Sequence, residues 1–243
     1  MNITTPIKFA VQRTLRAMGW EIRRFSLDEM THLAQMLEHH RIDTVLDVGA
    51  NIGQFATTLR QAGFNGQIIS FEPQSDAYVR LSAAAAKDPR WSVASRCAIG
   101  AQAGELTMNI SDNSVSSSAL PILTAHTDSA PGSRYVRTES VPVITLDDCD
   151  AVPQTGRIFL KIDTQGFEQQ VLDGAPKLLG RVVGVQTELS LAPLYEGQAD
   201  FLSIFNQMKA LGFETWAINP GFDNRNTGQL LQADATFFKA AAH

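Results

Sequence analysis

From residue 42 onward the sequence switches repeatedly between two hydrophobic rhythms, and that alternation admits few architectures. Thr44-Val45-Leu46-Asp47-Val48 is a short apolar, β-branched run, the pattern of a strand buried on both faces. Gln54 to Ala62 carries Phe55 and Leu59 on one helical side and stops at Gly63. Gln67 to Phe71 reads as a second strand, Ser75 to Ala86 as an alanine-rich helix capped by Ser75, and Trp91 to Ile99 as a third strand. Arg157 to Asp163 resumes the buried-strand pattern, followed by a helix from Phe167 to Leu179 and a strand from Val182 to Leu189. Phe201, Ile204, Phe205, Met208 and Leu211 mark a helix that ends at Gly212, and strands near 213–219 and 230–239 finish the pattern. Strand alternating with helix predicts an α/β fold with a mostly parallel sheet covered on both faces. The last two strands have only a loop between them, which predicts a C-terminal antiparallel hairpin. Around residues 101–150 the rhythm changes. Glu105 to Ile110 and Glu139 to Leu146 flank a stretch rich in serine, proline and glycine, which predicts a β-hairpin and loop insertion.

A sheet of that size needs one sizeable core, and 243 residues with 44% hydrophobic side chains supply it. No run approaches the ~18 apolar residues of a membrane span, and the N-terminus lacks the apolar block of a signal peptide. Cys97 and Cys149 are the only cysteines, so we expect a reducing, cytoplasmic setting and no zinc cage. The net charge of -5 argues against a nucleic-acid partner. Residues 1–24 depart from this balance: Lys8, Arg13, Arg16, Arg23 and Arg24 against Glu21 give +4, leaving -9 for the remainder. Ile7, Val11, Leu15, Met18 and Ile22 recur at helical spacing there. The division expected is a basic amphipathic appendage over 1–26 and one domain over 27–243. The appendage either packs on its own domain or touches a membrane surface or a protein partner.

In parallel sheets of this kind ligands sit beyond the carboxyl ends of the strands. The first strand runs into Asp47-Val48-Gly49-Ala50-Asn51-Ile52-Gly53, and the second into Phe71-Glu72-Pro73. Gly49 permits a sharp turn and Gly53 opens the next helix close to the sheet. Glu72 can grip both hydroxyls of a ribose. The turn has the spacing G-x-x-x-G with Asn51 inside it, not the G-x-G-x-x-G of a dinucleotide site, and an Asp beside it would repel pyrophosphate. Asp47 suits a ligand with a cationic amino acid end, which points to S-adenosylmethionine: ammonium toward Asp47–Gly49, ribose on Glu72. Adenine would lie beside Ala98 in Cys97-Ala98-Ile99-Gly100.

VLDVGANIGQFATTLR, ISFEPQ, CAIG, NSVSSSAL, TLDD, LKIDTQGFEQQVLDGA, ELSLAPLYEGQADF and QADATFF occur in that order. In this the chain resembles the FkbM family of methyltransferases over about residues 40–239, with LKIDTQGFEQQVLDGA the most specific run. The resemblance implies a seven-stranded class I methyltransferase (Rossmann-like) sheet. It also implies an S-adenosylmethionine site at Asp47, Gly49, Asn51, Gly53 and Glu72, and O-methyl transfer to hydroxyls of sugars, polysaccharides or related natural products.

Methyl transfer to oxygen needs an aligned acceptor, exclusion of water and a group that takes a proton. Lys161 and Asp163 end the fourth strand and Glu188 ends the fifth. Alternation puts Phe159, Lys161 and Asp163 on one face of their strand, and a lysine there needs a partner, Asp163 or Glu188. Asp163 or Glu188 then serves as general base, or the two acids hold a divalent cation that acidifies the hydroxyl. A structural Lys161–acid bridge is the alternative. Glu168 is accounted for by the dipole of the helix it begins. The serine-rich loop is either a lid or plain solvent-facing chain, His126 within it is expected to be solvated, and Tyr195 and Glu196 are candidates for the acceptor wall. Two other readings remain: a nicotinamide-dependent sugar-modifying enzyme, and a non-catalytic binding module of the same fold.

Overall fold

The computed structural model describes residues 29–240. The basic appendage read over 1–26 lies outside the described residues. In chain order the elements are α1 (Glu29–His39), β1 (Thr44–Val48), α2 (Gln54–Gln61), β2 (Gln67–Phe71), α3 (Ser75–Ala85), β3 (Trp91–Val93), β4 (Ala98–Ile99) and β5 (Gly104–Ser111). They continue with α4 (Thr124–Ser129), β6 (Tyr135–Ile144), β7 (Ile158–Ile162), α5 (Glu168–Asp173), α6 (Pro176–Arg181), β8 (Gly184–Ser190), α7 (Phe201–Ala210), β9 (Phe213–Pro220) and β10 (Gln232–Lys239).

Seven strands form the main sheet in the order β3-β2-β1-β7-β8-β10-β9. Five are mutually parallel, and β10 pairs antiparallel with both β8 and β9, the hairpin expected at the C-terminus. The chain starts at β1, works outward to β3 and returns to β7 beside β1, so the strand order reverses between β1 and β7. That reversal opens a crevice at their carboxyl ends.

Strand alternation feeds two cores. Ile158, Leu160 and Ile162 of β7 pack with Val171, Leu178, Ile204 and Met208 from α5, α6 and α7. Phe159 faces the other way, with Leu33 and Leu37 of α1, Leu59 of α2 and Leu81 of α3. Every residue of β1 and β7 is buried, and each fully buried large apolar side chain contributes roughly 1.5–3 kcal/mol. These two strands are the best anchored part of the sheet, which is where a site needing fixed geometry gains most.

Three expectations are corrected. The third strand is two: β3 edges the main sheet, while β4 pairs with β6 in a separate three-stranded sheet completed by β5. The break falls where Arg96 turns aside to donate to the Pro73 carbonyl and to Glu139. The helix from Phe167 to Leu179 is interrupted, with α5 ending at Asp173 and α6 starting at Pro176. Gly174 lies so close to the Gly100 carbonyl that no side chain fits, and Pro176, lacking an N–H, suits a helix start. The Asp147 carboxylate accepts the Lys177 and Leu178 N–H groups of that new start. Lastly, Ser75 is the first residue of α3, not its cap, and gives both its N–H and its hydroxyl to Glu139. The insertion is a hairpin of β5 and β6 as expected, but its serine-rich stretch folds into α4 and a short 3-10 turn.

Candidate active site

The turn after β1 is built by main-chain constraints. Gly49 sits at φ +80°, and any Cβ there would collide with the Asp163 carbonyl at the end of β7. Asp163 in turn donates its N–H to the Val48 carbonyl (3.0 Å), so the two strand ends are locked together. Asn51 also takes a left-handed conformation, φ 47°, which a short polar side chain tolerates better than most. Its side chain accepts from the Ile52 N–H (2.8 Å) and its own N–H donates to Glu72 Oε2 (2.7 Å). Gly53 (φ +90°) leaves room for the Trp91 ring against the start of α2.

Glu72 is buried, and its other oxygen accepts from the Gln74 N–H (2.8 Å). Burial pushes its carboxyl up to about 7, against the opposing pull of these two N–H donors. A cavity runs past these groups along the carboxyl ends of β1, β2, β4 and β7. Of the expected site residues, Gly49, Asn51, Glu72, Ala98, Lys161 and Asp163 line it. Asp47, Gly53 and Glu188 stand behind that lining.

Asp47 is fully buried and faces Lys161, its register neighbour on β7, with Oδ1 3.2 Å from Nζ. It also accepts from the Ser70 hydroxyl (3.1 Å), which accepts from the Trp91 indole N–H (3.0 Å). A polar chain therefore crosses β3, β2, β1 and β7. Lys161 ends it, 3.5 Å from Asp163 Oδ2, donating to the Gly49 carbonyl (3.3 Å) and lying over the Phe55 ring. Burial opposes its charge, but Asp47 and Asp163 outweigh burial and raise its pKa. Glu188, one of the two partners expected for Lys161, instead accepts from the side-chain amides of Gln165 (3.1 Å) and Gln232.

Asp163 meets the cavity with 38% of its side chain exposed, and Gln165 Nε2 donates to its Oδ1 (2.9 Å). Glu188 is half-buried opposite Asp234. Burial first, then Asp163, Glu168 and Asp234, push Glu188 well above the carboxylate range. Among the described residues no group of three or more His, Cys, Asp or Glu side chains is arranged to hold a metal ion. Gln165 stands between Asp163 and Glu188 where a shared cation would have to lie, so that donor set does not fit the metal version.

A family model described as the methyltransferase FkbM domain matches residues 47–215. The chain belongs to the FkbM methyltransferase family. The hexuronic acid methyltransferase AglP of Haloferax volcanii is 27% identical over 175 residues, 70% of this chain. The match spans 65% of AglP, so this chain covers less than two thirds of that relative. Among solved structures, TehB from Haemophilus influenzae aligns at TM-score 0.46 and 10% identity, covering 86% of this chain and 62% of TehB. The precorrin-6y C5,15-methyltransferase of Geobacter metallireducens GS-15 aligns at TM-score 0.44 and 11% identity, covering 90% of this chain and 94% of that one. The fold of this FkbM-family chain is defined by its own strand order, and no helix among the described residues is long and apolar enough to cross a membrane.

Other residues take roles that differ from the expectation. Glu168 is buried and closes the turn after β7, accepting from the Thr164 N–H (2.9 Å), the Gly166 N–H (3.1 Å) and the Thr164 hydroxyl. Burial pushes it up to about 7, so the dipole of a six-residue helix does not account for it. His126 is buried, not solvated, with Nε2 3.2 Å from the Ser116 hydroxyl and its ring edge-on to Tyr195; burial lowers it to about 4. Ser117 donates to Gln74 and Ser118 to the Gln165 carbonyl (2.6 Å), so the serine loop is fastened over both ends of the cavity. Tyr195 is buried and donates to Gln165 Oε1 (2.9 Å), whereas Glu196 is exposed. Gln165 is the residue that sequence reasoning passed over; its one signal was a long amide next to a glycine directly after a buried strand.

Proposed function

We propose that this FkbM methyltransferase takes its methyl group from S-adenosylmethionine and transfers it to a hydroxyl oxygen of a saccharide or related natural product. The observation that carries this reading is Glu72: a buried carboxylate held by two main-chain N–H groups at the wall of the cavity that also reaches Asp163. Ribose hydroxyls would donate to Glu72, adenine would face Ala98 and Ile99, and the amino acid end would meet the turn over Gly49–Asn51. Asp47 would act on that end only at one remove, because Lys161 already neutralises it.

When bound, S-adenosylmethionine supplies a methyl group on a positively charged sulfur. The chain then has to hold an acceptor hydroxyl in line, keep water out and take up its proton. Asp163 is the carboxylate that faces the cavity, with Lys161 on one oxygen and Gln165 on the other, so it is the proton acceptor. Lys161 orients it and Glu188 lies behind the Gln165 amide. With the cavity filled, the serine loop and the apolar walls from Phe55, Met108 and Phe167 would exclude solvent. The sugar acceptor draws support from AglP, whose name assigns it a hexuronic acid.

Calorimetry with S-adenosylmethionine and with NAD tests the cofactor, and a methyl-transfer screen over hydroxylated glycosides tests the acceptor. Binding of the first alone, and a methyl ether located by NMR, are the expected results. NAD binding without a response to S-adenosylmethionine would overturn the proposal. Cofactor binding with no transfer to any hydroxylated acceptor would favour a binding module.

A further inference from the structure

We propose that Gln165 is the positioning residue of the transfer step, holding the Asp163 carboxylate in the direction needed to take the acceptor's proton. The inference rests on the function proposed above. Gln165 occupies the left-handed region at φ 53°, where a long side chain is unfavourable and glycine is at ease. The strained backbone is held from several sides. Ser118 donates to its carbonyl, Glu168 accepts the N–H groups of Thr164 and Gly166 around it, and the Tyr195 ring packs where a Cβ on Gly166 would stand. A glutamine kept in such a place is explained by what its side chain does.

The amide has one consistent orientation. Its oxygen accepts from the Tyr195 hydroxyl (2.9 Å), and its two N–H bonds go to Asp163 Oδ1 (2.9 Å) and Glu188 Oε2 (3.1 Å). Reversal would set the amide oxygen against the Asp163 Oδ1 oxygen. With Lys161 near Oδ2, Asp163 is gripped on both oxygens and its free lone pairs face the cavity. The donor also stands between Asp163 and Glu188, so the two acids meet through the Gln165 amide. The ionisable groups around Asp163 are Lys161 and, behind it, Asp47, then Glu168 from α5, Glu188 from β8 and Asp234 from β10. Tyr195 adds the phenol that orients the amide. Most of these groups are acidic, so Gln165 and Lys161 are the donors that hold the carboxylate turned toward the cavity.

The test uses Gln165→Met, which keeps the length and removes the donors, and Gln165→Gly, which accepts the left-handed backbone without strain. Both are expected to lower kcat about 10²-fold while cofactor affinity stays within about threefold. The KM for the acceptor should stay within about threefold, because the loss falls on the transfer step and not on binding. Tyr195→Phe should show the same split between kcat and KM at about a tenth of the loss. Turnover within about threefold of wild type in Gln165→Gly would overturn the proposal. So would a loss of kcat that follows loss of thermal stability, or a loss that appears in the acceptor KM with kcat unchanged. A wild-type protein that fails to bind S-adenosylmethionine would overturn the underlying function; wild-type turnover with an unaffected Gln165→Met would overturn this inference alone.

Discussion

Two carboxylates stand at opposite ends of one cavity and are held by different means. Glu72 is fixed by the N–H groups of Asn51 and Gln74, which belong to the main chain. Asp163 is fixed by the side chains of Lys161 and Gln165. A group held by main chain is insensitive to the identity of its holders, provided the backbone keeps its shape. A group held by side chains can be tuned one neighbour at a time. That arrangement suits a cavity with an invariant ligand at one end and an adjustable reaction at the other.

The sharpest way to break the contrast is Asp163→Asn, expected to cost about 10³-fold in kcat with cofactor affinity nearly unchanged, read by single-turnover kinetics and calorimetry. Unchanged turnover would place the proton acceptor elsewhere. Lys161→Met leaves Asp47 buried without its cation, and should destabilise the fold by about 3–5 kcal/mol, lowering Tm by roughly 10 °C in a thermal scan. Glu72→Ala is expected to weaken S-adenosylmethionine binding about 10²-fold, since two hydrogen bonds to a charged oxygen pair are lost. Saturating cofactor should restore most of its turnover.

Acidity offers a gentler probe. With Glu72 near about 7, the carboxylate form that accepts ribose hydroxyls grows as pH rises, so affinity should increase roughly tenfold between about pH 6 and 8. Glu72→Gln should flatten that dependence. The same raised pKa means the cofactor-free fold is most favoured below the ordinary value of 4.5 and loses that contribution as pH rises through about 7. The smallest effect belongs to Asn51→Gly: the positive φ and the N–H to Glu72 both survive, so affinity should stay within about threefold. A large loss there would show that the Asn51 side chain, not the main chain, holds the site.

The strands, their order of use and the acids at their ends were legible in the sequence, because alternation and glycine turns are local signals. What escaped depends on partners distant in the chain. Lys161 meets Asp47 because parallel pairing sets them side by side, a register that no spacing within either strand reveals. His126 is buried because Tyr195 and Phe222, each some seventy residues or more further on, close over a loop whose composition looks solvent-facing. The break at Gly174 answers to Gly100. Gln165 was hidden for another reason: its backbone strain, which marks it out, exists only in the folded turn.

The polar chain that begins at Trp91 carries one more consequence. Its indole is buried, donates to Ser70, and is linked through Asp47 to the ammonium beside Asp163. The same ring touches the start of α2 at Gly53. The emission of Trp91 is therefore expected to shift when the charge at Lys161 is removed, because this buried indole is joined to the cavity wall through Ser70 and Asp47.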